Sequence, residues 1–190
     1  MNRCNLDRTA RIVLLNGVGS AGKSSIAKAL QAITRDVFLH VQMDAFFDML
    51  PAASIGHPDG VTFETIHDGD HPSVIIRSGP LAQRAFRGMR HAVAAMAAQG
   101  NDLIVDEVLL GETWTEYTRL LAPFQVFLVG VHARLETLEA REKTRSDRLI
   151  GLARWQFDRV HNSMTYDLEI DTDHASPMEC ALLIKQTFNL

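Results

Sequence analysis

Residues Gly17 to Ser24 read Gly-Val-Gly-Ser-Ala-Gly-Lys-Ser, a complete G-x-x-x-x-G-K-[ST] pattern. Its residue types at this spacing suit phosphate. Gly17, Gly19 and Gly22 let successive backbone N–H groups turn inward without a Cβ clash, and Val18, Ser20 and Ala21 extend the same concave anion nest. Lys23 would reach the β/γ-phosphates, and the Ser24 hydroxyl would ligate Mg²⁺. The apolar run Ile12 to Leu15 reads as a strand delivering this loop. The stretch Ser25 to Leu30 reads as a helix beginning near Lys23, whose free N–H groups point at the same anion. The spacing predicts a nucleoside-triphosphate site with Mg²⁺; ATP is the nucleotide expected, with its preference over GTP left open.

Two acids fall where such a site needs them. Asp44 follows the second apolar strand, at the sheet edge where open α/β sheets bind ligands. There a carboxylate can take the proton of a substrate hydroxyl attacking the γ-phosphorus, or it can cap the helix that follows. Asp106 ends the run Leu103-Ile104-Val105, the position of a second Mg²⁺-holding acid acting directly or through water. Neighbouring Glu107 points the other way if the strand continues. Arg141, Arg145 and Arg148 lie in Arg-Glu-Lys-Thr-Arg-Ser-Asp-Arg. They are read as a lid over about 141–150 that clamps phosphate oxygens and stabilises charge on the transferring group. His57, His67 and His71 meet no metal-ligand spacing and read as a polar substrate-side loop. Phe46, Phe47, Met49 and Leu50 read as core, with one or two left over for an apolar substrate pocket.

These residues need a frame, and the hydrophobic pattern supplies one. Strands are expected at Val37 to Met43, Leu103 to Asp106, Gln125 to Val131 and Leu168 to Ile170, besides the first. Helices are expected at Ala45 to Leu50, Pro80 to Gln99, Glu112 to Leu121, Leu135 to Lys143, Ile150 to Asn162 and Pro177 to Phe188. Strands joined by helix-length connections imply right-handed crossovers and a five-stranded parallel sheet covered on both faces. Residues 51–79 read as irregular, with Val61-Thr62-Phe63 and Val74-Ile75-Ile76 able to pair as a small hairpin. Trp114, Tyr117 and Trp155 read as packing residues, and Asp171 and Asp173 as cap or turn acids.

At 190 residues, 46% of them hydrophobic and 22% charged, the chain suits a single domain with a sizeable core. A formal charge of −4 leaves no electrostatic footprint for nucleic acid or an anionic membrane. Two cysteines, Cys4 and Cys180, do not make a disulfide framework. With a polar start and no long apolar run, they lead to the expectation of a cytoplasmic protein. A homo-oligomer is left open.

Several segments together resemble the chloramphenicol phosphotransferase family of small P-loop kinases. They are Leu15 to Ser24, the Asp44 strand end with Pro51 after it, Ile104 to Leu110, Val129 to Val131, Arg141 to Arg148, Tyr166 to Thr172 and Glu179-Cys180-Ala181. The resemblance implies a nucleoside-kinase-like, three-layer α/β/α P-loop NTPase fold. It also implies γ-phosphate transfer to a hydroxyl of a small molecule, chloramphenicol leading, with Asp44 as base, Lys23 and Ser24 on the phosphates and Mg²⁺, and Arg145 and Arg148 in the lid. The resemblance is weakest between about Ala52 and Gly79, so the acceptor stays open to another metabolite such as a sugar or nucleoside. A non-catalytic nucleotide switch is the other alternative. The Asn-Lys-x-Asp motif of guanine-nucleotide switches is missing, since Asn101, Asn162 and Asn189 are not followed by Lys.

Overall fold

The computed structural model describes residues 9–68, 71–145 and 149–190; Cys4, Arg148 and part of the Asp68-Gly69-Asp70 turn lie outside them. The first strand, β1 (Arg11–Gly17), sets the architecture. Val13 and Leu15 enter one apolar cluster, while Ile12 and Leu14 enter another. A strand buried on both faces must be sandwiched, and the rest of the chain supplies the two layers. On the first side lie α1 (Lys23–Ile33), α5 (Leu135–Lys143), α6 (Leu152–Val160) and α7 (Pro177–Phe188). On the second lie α3 (Pro80–Ala98) and α4 (Thr113–Leu120), with the short α2 (Met43–Phe47) placing Phe46 against them.

Between the layers runs a five-stranded sheet in the order β2-β5-β1-β6-β7, with every pairing parallel. Its further strands are β2 (Phe38–Gln42), β5 (Asp102–Glu107), β6 (Gln125–His132) and β7 (Leu168–Asp171). The register sets Leu15 beside Asp106 and Asp106 beside Gln42, so the carboxyl ends of three strands meet at one edge. The expected three-layer fold is therefore observed. Helix α6 starts at Leu152 rather than Ile150, because Gly151 precedes it in the left-handed region at φ 103°.

The stretch expected to be mostly irregular contains β3 (Val61–Asp68) and β4 (His71–Ser78), an antiparallel hairpin. Among its described side chains Val61 and Val74 are the buried ones, so apolar periodicity carried little sign of its length. Backbone closure fixes its base: Gly79 N–H donates to Gly60 O at 2.6 Å and Leu81 N–H to Asp59 O at 2.8 Å. A Cβ on Gly79 would stand 1.9 Å from Pro58 O, a backbone atom with no rotamer to escape through.

Of the other expected packing residues, Trp155 lies under the Arg159 guanidinium, 5.0 Å from its ring centre. Tyr117 is fully buried, but its hydroxyl donates to Glu107 Oε2 at 2.5 Å. Glu107 does face away from Asp106, into the α3–α4 side, where Arg90 Nη1 lies 3.9 Å from its other oxygen. Burial pushes the Glu107 carboxyl up to about 7, against the Tyr117 hydrogen bond and the Arg90 charge. Asp171 and Asp173 act as turn and cap acids: Asp173 N–H donates to Asp171 Oδ1, and Asp173 Oδ2 receives Arg134 N–H at the start of α5.

Two outcomes follow for stability. Gly79→Ala should destabilise the fold by about 1–3 kcal/mol, the usual cost of overpacking, read as a lower urea midpoint. An unchanged midpoint would show that the hairpin base yields. For Glu107, the unfolded chain releases its proton near the ordinary 4.5 and the folded chain holds it to about 7. Its contribution to stability therefore falls as pH rises between those values. Glu107→Gln should flatten that part of the stability–pH curve, measured by urea unfolding at several pH values.

Candidate active site

At the carboxyl edge of β1 the chain leaves Gly17 and turns through Ser20 at φ 67° and Gly22 at φ 94° before α1 begins at Lys23. A Cβ on Gly17 would meet Val131 O at 2.5 Å, so the start of the loop lies hard against β6. Val18 and Ala21 bury their side chains in the core and face the loop with backbone alone. Lys23 folds over the loop: its Nζ donates to Gly17 O at 2.8 Å and Val18 O at 3.0 Å. The ammonium is thus held above the Gly17–Gly19 end, where a β/γ-phosphate would meet it.

Ser24 Oγ donates to Asp106 Oδ2 at 2.5 Å. Burial works against ionisation of Asp106, yet His40, Lys23 and the Ser24 hydroxyl together hold its carboxyl below the usual range. Lys23 Nζ is 3.9 Å from Oδ1 and His40 Nε2 is 3.6 Å from Oδ2, the latter longer than a hydrogen bond. A hydroxyl and an ionised carboxylate side by side form an oxygen donor pair of the kind Mg²⁺ takes beside phosphate oxygens and water. The two residues read from the sequence as metal ligands therefore fit that ion.

The loop floors a cleft of about 640 Å³, lined also by Ser25, Asp44, Asp106, Arg141 and Arg145. Asp44 lies in the first turn of α2, exposed toward this cleft; the residue capping α2 is Gln42, so the capping alternative for Asp44 does not hold. Arg141 comes from α5 and donates to Thr172 Oγ1 at 3.0 Å and Thr172 O at 2.8 Å, just after β7. Arg145 follows α5 on the same wall, and Arg148 lies outside the described residues. Other arginines of this basic segment serve local pairs: Arg134 with Asp173 and Arg154 with Glu139.

Opposite the loop the wall is apolar. Phe63 and Ile76, direct cross-strand partners in the hairpin, face the cleft with Met43 and Phe47 of α2. Phe46 joins the core, and Met49 is 69% exposed. The histidines expected on a substrate-side loop do not line this wall: His57, His67 and His71 are exposed elsewhere on the insertion. Among the described residues no trio of His, Cys, Asp and Glu is placed to hold a metal.

One site residue escaped the sequence reading. Gln156 of α6 is buried and accepts Gly19 N–H on its Oε1 at 2.7 Å. It is the polar member of the buried helical face Leu152, Ala153, Gln156 and Val160. A polar residue at that spacing within an apolar stripe was the available signal. His40 was also missed, since a lone histidine in a short strand has no pattern to mark it.

Comparison with known proteins agrees with this fold. The family model described as chloramphenicol phosphotransferase-like protein matches residues 10–189. Mycobacterium tuberculosis proteins of strains CDC 1551 and H37Rv, named as candidate O-phosphotransferases, are 28% identical over 184 residues, covering 94% of this chain and 82% of theirs. Among solved structures, Mycobacterium tuberculosis APS kinase in complex with AMPPNP and APS superposes with a TM-score of 0.66 at 16% identity, covering 96% of this chain and 99% of that one. A gluconokinase from Sinorhizobium meliloti 1021 gives 0.58 at 16%, with 96% of each chain covered. These two likenesses speak for the fold. With a complete phosphate loop and a family match spanning nearly its whole length, the chain is a P-loop phosphotransferase and belongs to the chloramphenicol phosphotransferase-like family.

Proposed function

We propose that this enzyme transfers the γ-phosphate of ATP to a hydroxyl of a small, apolar-bodied molecule, with chloramphenicol or a related alcohol as the leading acceptor and antibiotic inactivation as the outcome. One observation carries the reading. A single cleft has the phosphate loop on one side, the Phe63–Ile76 and Met43–Phe47 wall on the other, and Asp44 exposed to it. An apolar wall with few polar groups suits an acceptor with an apolar body. The family match and the candidate O-phosphotransferase relatives support an alcohol acceptor.

In this reading the acceptor hydroxyl gives its proton to the Asp44 carboxylate as its oxygen bonds to the γ-phosphorus. The bond from that phosphorus to the bridging oxygen breaks, and ADP leaves. Lys23 and the arginines Arg141 and Arg145 neutralise charge on the phosphoryl oxygens. Mg²⁺ arriving with the nucleotide would be held by Ser24 and, through water, by Asp106, and would neutralise β/γ-oxygen charge. The fixed positions of these groups lower the cost of reorganisation when charge develops.

The assay is ATP consumption against a panel of hydroxylated antibiotics, sugars and nucleosides, with the product identified by mass. Chloramphenicol or a related alcohol should gain one phosphoryl group; ATP binding without transfer to any member would overturn the reading in favour of a switch. On the accepted substrate, Asp44→Ala should lower turnover about 10²–10⁴-fold while leaving nucleotide binding intact. Near-normal turnover would remove Asp44 from the role of base. Lys23→Ala should instead weaken ATP binding about tenfold or more by calorimetry, as expected for loss of a charge-assisted contact.

A further inference from the structure

We propose that Gln156 is a further catalytic residue, donating a hydrogen bond from its side-chain amide to the terminal phosphoryl group of the nucleotide. The inference rests on the cleft being a kinase site. Because Gly19 N–H is a donor, the atom 2.7 Å away must be the amide oxygen, which fixes the orientation of the side chain. The same amide carries two N–H donors on Nε2, and among the described residues neither has a hydrogen-bond partner. Gln156 is only 6% exposed, and the cleft it lines is the one holding Lys23 and Ser24. Nε2 is not closed off from solvent, so its donors open onto the cleft, where an anionic acceptor can replace water.

The position of Lys23 says which acceptor that is. Its ammonium sits over Gly17 O and Val18 O, at the strand end of the loop rather than the helix end. An ammonium that serves the β/γ-phosphates therefore draws the terminal phosphoryl group to the Gly17–Gly19 end, beside Gln156. The helix carrying Gln156 is pinned at both ends. Glu142, buried on α5, accepts Gly151 N–H at 2.7 Å and Ala153 N–H at 2.8 Å at its start. Asn16, buried in β1, donates to Val160 O at 3.0 Å at its finish. Gly151 O also accepts Val74 N–H from the acceptor-side hairpin at 2.9 Å. The amide is therefore held in place before any phosphate binds, the condition under which such a donor is most effective.

The test separates a phosphate contact from simple support of the loop. ADP and the non-hydrolysable analogue AMPPNP are titrated by calorimetry into the wild-type chain, Gln156→Leu and, should that variant fail to fold, Gln156→Met. AMPPNP affinity should fall tenfold or more while ADP affinity stays within about threefold. Equal weakening of both nucleotides would overturn the proposal, since it would show that Gln156 only supports the Gly19 amide. Unchanged affinities would overturn it too. A wild-type chain that binds neither nucleotide would bring down the reading of the site itself, and this role with it, before any substitution is examined.

Discussion

The Ser24–Asp106 hydrogen bond, 2.5 Å long, is the joint on which the site depends. It ties the first turn of α1 to the end of β5, and so fixes the phosphate loop relative to the sheet edge. The bond is possible because parallel register places Asp106 beside Leu15, two residues before the loop begins. Burial makes an isolated carboxylate there expensive, and His40, Lys23 and the Ser24 hydroxyl around it offset that cost. The groups that steady Asp106 in this structure, Ser24 and Lys23, are those a magnesium nucleotide would engage. Binding would thus exchange partners within a charged cluster instead of creating one, which keeps reorganisation small.

The two faces of β5 divide the acid chemistry. Asp106 turns toward α1 and the loop, where His40, Lys23 and the Ser24 hydroxyl keep it ionised. Glu107, one residue on, turns into the α3–α4 layer, where burial holds its proton to about 7. The same chemical group one position apart is sent opposite ways by the period of two along a strand. Around the site the helices act as struts. Glu142 caps α6, Asn16 holds its far end while accepting Leu109 N–H, and Arg141 grips Thr172. The Asn16 and Arg141 bonds join segments far apart in sequence, so the walls of the cleft are braced through the core and not only through their own backbones.

The proposed acceptor side is built differently. A hairpin with few buried residues carries Phe63 and Ile76 across from the loop; Gly79 N–H to Gly60 O closes its base, and Val74 N–H to Gly151 O ties it to the start of α6. Such an insertion can change its exposed residues without disturbing the core, which suits a wall that selects substrates on a shared scaffold.

The sequence by itself determined the phosphate loop, the parallel sheet and its two helical layers, because glycine spacing and apolar periodicity are local signals that local conformation obeys. It also determined that Asp44 and Asp106 end at one edge, since the carboxyl ends of parallel strands share it. Only the tertiary structure decided that Gln156 reaches the loop from 137 residues away, and that Phe63 and Ile76 rather than the nearby histidines face the cleft. Those outcomes turn on the rotation of one helix and the register of one hairpin. Both are set by long-range backbone contacts such as Val74 N–H to Gly151 O, which leave no period in the chain that makes them.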